Sequence, residues 1–114
     1  MENILSEEAG KVIECIGKYK EFGFDSGVSI RACFDEKPYL GKDKIVDYLR
    51  NGGNVFCCAP SVMRDCITGK PISEEQVTRY DEKYKWPSYL AHYVDRYNLR
   101  LPIAFEKHIL SLAD

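Results

Sequence analysis

The chain has 114 residues, of which 45% are hydrophobic, 12% aromatic and 30% charged. This fits one domain with its own core and excludes collagen, low-complexity and disordered chains. With 16 Lys and Arg against 18 Asp and Glu, the net charge is -2; there is no concentrated positive charge, so nucleic acid and an anionic membrane are not expected partners.

From the N-terminus, Ser6, Glu7 and Glu8 supply a cap and a favourable dipole end. Leu5, Ala9, Val12, Ile13, Ile16 and Tyr19 recur at intervals of three and four, predicting an amphipathic helix over residues 6–21 that stops near Gly23. Val28, Ile30, Ala32 and Phe34 alternate and predict a strand over 28–34, broken by the Asp35–Pro38 turn. A second helix is expected over 42–51, burying Ile45, Val46, Tyr48 and Leu49 and ending at Asn51-Gly52-Gly53. The uncharged run Asn54 to Ala59 reads as an interior strand, with 62–67 as its neighbour and Thr68-Gly69-Lys70-Pro71 as the next turn.

Between 73 and 86 two signals compete. Ser73-Glu74-Glu75-Gln76 has capping-box chemistry, whereas Val77 to Tyr80 and Tyr84 to Trp86 are strand-forming and flank a polar turn; a hairpin is the preferred reading. Pro87 then opens a helix carrying Leu90, Tyr93, Val94 and Tyr97 on one side. A final helix from about 102 would bury Ile103, Phe105, Ile109 and Leu112, with Leu101 at its base. The expected architecture is one α+β domain over 1–114, with a small antiparallel sheet packed against about four helices.

The five cysteines are an odd number, and the acidic start lacks the basic-then-apolar pattern of a secretory signal. No uncharged apolar run reaches the roughly 18 residues that span a bilayer. A reducing, cytoplasmic setting with buried free thiols is expected. Adjacent Cys57 and Cys58 would point to opposite faces of a strand, and His92 and His108 are remote from them in sequence, so no metal site is expected. The pair lacks a cysteine-enzyme signature, and two buried strand thiols explain it better than a nucleophile served by His92.

His92 and Asp95 are three apart on a predicted helix and can share a face; a surface pair explains them better than acid–base chemistry. His108, in the last turns of the final helix, suits the negative end of its dipole. The acidic pairs Glu7-Glu8, Asp35-Glu36, Glu74-Glu75 and Asp81-Glu82 fall at turns or helix starts and read as solvated. Gly52-Gly53 follows a helix rather than preceding one, and Thr68-Gly69-Lys70 lacks the upstream glycine of a P-loop, so neither reads as a phosphate site and no cofactor is expected. Arg96 and Arg100 could meet an acidic partner, although Asp95 offsets their charge.

The densest feature is aromatic: five of eight tyrosines and the single tryptophan lie between residues 80 and 97. Tyr89, Tyr93 and Tyr97, spaced by four, form a helical stripe expected to face the sheet. Tyr80, Tyr84 and Trp86 do not fit that stripe, and on a hairpin some of them must face outward, so they are the candidate partner-binding residues. The resulting expectation is a small non-catalytic protein that binds another protein, as an inhibitor, immunity protein or adaptor, or that self-associates. The alternative is a small-molecule module with an aromatic-lined pocket. An enzyme using Cys57 or Cys58 with His92 is the third reading.

Overall fold

Helix α1, Lys42–Asn51, forms where its spacing predicts, burying Ile45, Val46 and Leu49, with Asp43 in its first turn and Arg50 in its last to complement the dipole. The computed structural model describes residues 13–58, 63–72 and 76–112. Two further helices follow, α2 at Leu90–Tyr97 and α3 at Ile103–Ser111. Four strands complete the regular structure: β1 at Glu14–Cys15, β2 at Asn54–Cys58, β3 at Val77–Tyr80 and β4 at Tyr84–Pro87.

The sheet order is β1-β4-β3-β2, with β1 parallel to β4 and the other pairs antiparallel. The domain is therefore α+β with a mixed sheet, and among the described residues it has three α-helices rather than about four. No helix among the described residues is long and apolar enough to cross a membrane.

The hairpin of β3 and β4 forms because Asp81 closes its turn, its Oδ1 accepting the amides of Lys83 (2.9 Å) and Tyr84 (2.8 Å). Tyr84 and Trp86, two apart, point to one face of the sheet, where α1 and α3 cover them. The Trp86 ring lies 5.2 Å from Tyr48 of α1 and 5.5 Å from Phe105 of α3, and its Nε1 donates to the Leu49 carbonyl at 3.0 Å. Helix α1 also packs on α2 and α3, so one core joins Ile45, Leu49, Trp86, Leu90, Phe105 and Ile109.

Several predicted elements are corrected. The helix over 6–21 is not formed within its described part: Glu14–Cys15 pairs with β4, and Lys20–Phe22 is a single 3₁₀ turn capped by Gly23. The reason is Gly17, whose φ of 99° breaks a right-handed helix, and whose missing Cβ lets the chain pass Pro87 closely. Residues 6–12 of that prediction lie outside the described residues.

The predicted strand 28–34 is instead a 3₁₀ helix, Ile30–Cys33, in which only Ile30 is buried. Local polar bonds override the alternation: Ser29 Oγ accepts from the Arg31 amide at 3.2 Å, and Glu21 accepts from the Ile30 amide at 2.8 Å. Phe34 keeps one bridge, to Leu99.

The described part of 62–67 is not a strand beside β2 either; Arg64 bridges Pro71 across the predicted turn, and β3 takes the place next to β2. Among the described residues β2 is thus an edge strand, although its sequence reads as interior. The helix predicted from Pro87 starts later, at Leu90, because Pro87 pairs with Thr78 at the end of β4. In α3, Phe105 and Ile109 are buried as expected, but Ile103 is 70% exposed.

The short link from α1 to β2 depends on Gly53, which has φ of 61° and would place a Cβ 2.2 Å from the Tyr80 carbonyl oxygen. Gly53→Ala is therefore expected to destabilise the domain by about 1–3 kcal/mol. The urea midpoint at constant m-value measures this, and an unchanged midpoint contradicts it.

Candidate functional site

The two histidines each anchor a carboxylate, in pairings that local spacing did not show. His92 Nε2 meets Asp65 Oδ2 at 2.7 Å, and Tyr97 donates to the same oxygen at 2.7 Å. Asp65 Oδ1 accepts the amides of Ile67 (2.7 Å) and Thr68 (3.1 Å). Burial alone would raise the Asp65 carboxyl, but the bonds from His92, Tyr97 and the two amides outweigh it and hold the group at about 2, below the ordinary 3.8. Next to it, the Cys66 amide donates to the Tyr93 hydroxyl at 3.0 Å. Four donors fill the acceptor capacity of Asp65. The cluster acts as a clamp that fastens the 65–69 turn to α2.

Asp95, the expected partner of His92, is exposed and lies 3.9 Å from Arg50. The His92 ring packs edge-on against Tyr93 and Tyr97, so its described neighbours are Asp65 and two aromatics. Cys57 sits on the exposed β2 edge rather than in a buried strand. These observations lend nothing to a Cys57–His92 pair.

His108 does more than face a helix dipole: its Nε2 meets Asp81 Oδ2 at 2.8 Å, and its ring packs 5.0 Å from Tyr84. Asp81, expected to be solvated, is largely buried. Desolvation raises its carboxyl, but bonds from Tyr48, Lys83, His108 and Tyr84 lower it overall. Arg100 is likewise engaged: it grips the buried Glu106 through Nε (3.1 Å) and Nη2 (2.8 Å), and stacks over Tyr39 at 4.0 Å. Among the described residues, no three His, Cys, Asp or Glu side chains converge as a metal site would require.

A further surface among the described residues is the face of the sheet opposite the helices. Register places Cys15 beside Lys85, Lys85 beside Tyr80, and Thr78 beside Pro87 on that face. β2 adds Phe56, which sits at an irregularity in its pairing with β3. The Lys85 ammonium lies 4.5 Å over the Phe56 ring, and Phe56 meets Tyr80 edge-on at 6.2 Å. Phe56 is nevertheless 60% exposed, and Val55 is 50% exposed. At the β1–β4 end of the sheet lies a cavity of about 260 Å³.

Of the three candidate partner-binding residues, only Tyr80 reaches this face, and it is half-buried. Trp86 is 0% exposed, and Tyr84 is also buried, so neither faces outward as expected. Strand alternation puts both on the helix-covered side. Within the tyrosine stripe, Tyr89 meets Phe22 and lines the cavity with Thr78 and Pro87 of the sheet, while Tyr93 meets Phe22 and Phe34, and Tyr97 meets Phe34, of the irregular N-terminal segment. Phe56 and Lys85 went unnoticed because nothing in an uncharged strand sequence says whether its neighbours lie on both sides or one. No protein-family model matches this chain, and no curated protein and no solved structure matches it.

Proposed function

We propose that this chain acts without catalysis by binding another protein, which adds an extended segment along the β2 edge and covers the adjoining Phe56–Tyr80–Lys85 face. The observation that carries this reading is the character of β2. Edge strands are ordinarily blunted by charge, proline or extreme shortness, because their free backbone groups recruit other strands. Asn54-Val55-Phe56-Cys57-Cys58 has five residues, no charge and no proline, and it exposes Val55, Phe56 and Cys57. A partner strand gains backbone hydrogen bonds along the edge and side-chain contacts with Phe56.

The test is affinity capture from the protein's own host with wild-type and Phe56→Lys chains. Phe56 is exposed and outside the core, so its replacement is expected to leave thermal unfolding nearly unchanged while abolishing retention of the partner. A protein retained equally by both chains would sink the edge-strand reading. A concentration-dependent doubling of mass in the purified wild type, lost in Phe56→Lys, would replace the foreign partner with a second copy.

A further inference from the structure

The cavity at the other end of the same sheet has a composition distinct from the β2 edge. Its walls are apolar, formed by Ile16, Phe24, Pro87 and Tyr89 with Trp86 behind them, and two lysines, Lys18 and Lys85, line it as well. Among the described residues, no acidic side chain lines it, in a chain whose net charge is -2. Gly17 contributes to the shape: its φ of 99° favours glycine, and a Cβ there would crowd Pro87 Cδ at 3.1 Å.

We infer that this cavity binds a small apolar carboxylate, a ring or short hydrocarbon bearing one anionic group. The size argument is direct. A closed apolar cavity of roughly 150 Å³ holds benzene, and the volume here, about 260 Å³, admits a ring with a short chain. The charge argument selects the anion. Two lysines line a mostly apolar site and complement one carboxylate, whereas a phosphate ester would call for an arginine fork, and no arginine is among the described residues that line it. Lys85 lines the cavity, but its ammonium rests over the Phe56 ring, toward β2, and meets a ligand here only by leaving that ring. The site shares Lys85 with the Phe56–Tyr80–Lys85 face, but no β2 residue is among the described residues that line it, so either can exist without the other.

Titration with phenylbutyrate and with uncharged phenylbutanol, followed by amide NMR spectra, tests the inference. Both ligands are expected to shift amides of residues 15–18, 85, 86, 88 and 89, with the carboxylate half-saturating below about 1 mM. The carboxylate should bind at least about fivefold more tightly than the alcohol. In Lys18→Met/Lys85→Met that ratio should fall to about one while alcohol binding persists. Lys18 is exposed and Lys85 half-buried, so folding is not at stake in these variants. Phenylbutyrate should also slow alkylation of Cys15, which lines the cavity, while leaving that of the exposed Cys57 unchanged. Equal affinity for acid and alcohol in the wild type would overturn the assignment. So would shifts confined to other elements, or no shifts up to about 10 mM.

Discussion

Trp86→Ala is expected to unfold much of the population rather than to act on a binding surface. The side chain is fully buried between Tyr48 and Phe105, and its Nε1 satisfies the Leu49 carbonyl at 3.0 Å in the interior. Truncating a core tryptophan costs about 3–5 kcal/mol through lost transfer energy and the cavity left behind. The orphaned carbonyl adds about 1–3 kcal/mol where water does not reach it. Domains of this size hold only about 5–15 kcal/mol in total. Urea unfolding followed by far-ultraviolet circular dichroism measures the effect. A loss below about 1 kcal/mol would mean that the tryptophan is not the keystone its packing indicates. Trp86→Phe bears on the division, since it keeps a packed ring between Tyr48 and Phe105 while losing the hydrogen bond and part of the indole volume, so it should cost less than Trp86→Ala.

The second large effect is at Asp65. Asp65→Ala removes the acceptor for His92, Tyr97 and two turn amides at once, and is expected to cost about 3–5 kcal/mol. The same carboxylate makes the fold acid-sensitive in a defined window. Its folded value, about 2, is depressed below the ordinary 3.8, so the native state binds fewer protons than the unfolded state between those values. Its stabilisation is fully present above the unfolded value and is lost as pH falls through the folded one, an effect of about 2 kcal/mol. Asp65→Asn lacks this titration. Its urea midpoint should therefore fall less than that of the wild type between about pH 5 and about pH 2. Equal falls in the two proteins would show that other carboxylates, such as Asp81, govern the acid limb.

These two residues also show where local reasoning stops. Trp86 and Tyr84 alternate with Lys85 and Pro87, so the sequence does establish that the two aromatics share a face. It does not establish which face the helices cover. That choice follows from α1 and α3 supplying Tyr48 and Phe105 on one side, contacts made across 38 and 19 positions of sequence. The Asp65–His92 and Asp81–His108 contacts each span 27 positions and are equally invisible to a search for partners three or four residues away. Helix-spaced apolar residues near the N-terminus misled for a different reason. A hydrophobic period is necessary for an amphipathic helix, but Gly17 offers the chain a left-handed alternative, and pairing with β4 rewards it.

What the sequence determined alone was the local structure with strong punctuation. This includes α1 with its glycine stop, the β3–β4 hairpin that competed with a capping-box signal, and the final two helices, whose apolar period placed them although α2 starts later than Pro87. Tertiary structure decided the rest: the parallel pairing of β1, the placement of β2 at an edge, the burial of Trp86 and the partners of both histidines. The physical reason is that dihedral preferences and caps act over a few residues, whereas burial and edge position depend on which distant surfaces meet. An uncharged strand is compatible with neighbours on both sides; only the assembled sheet shows that among the described residues β2 has a strand on one.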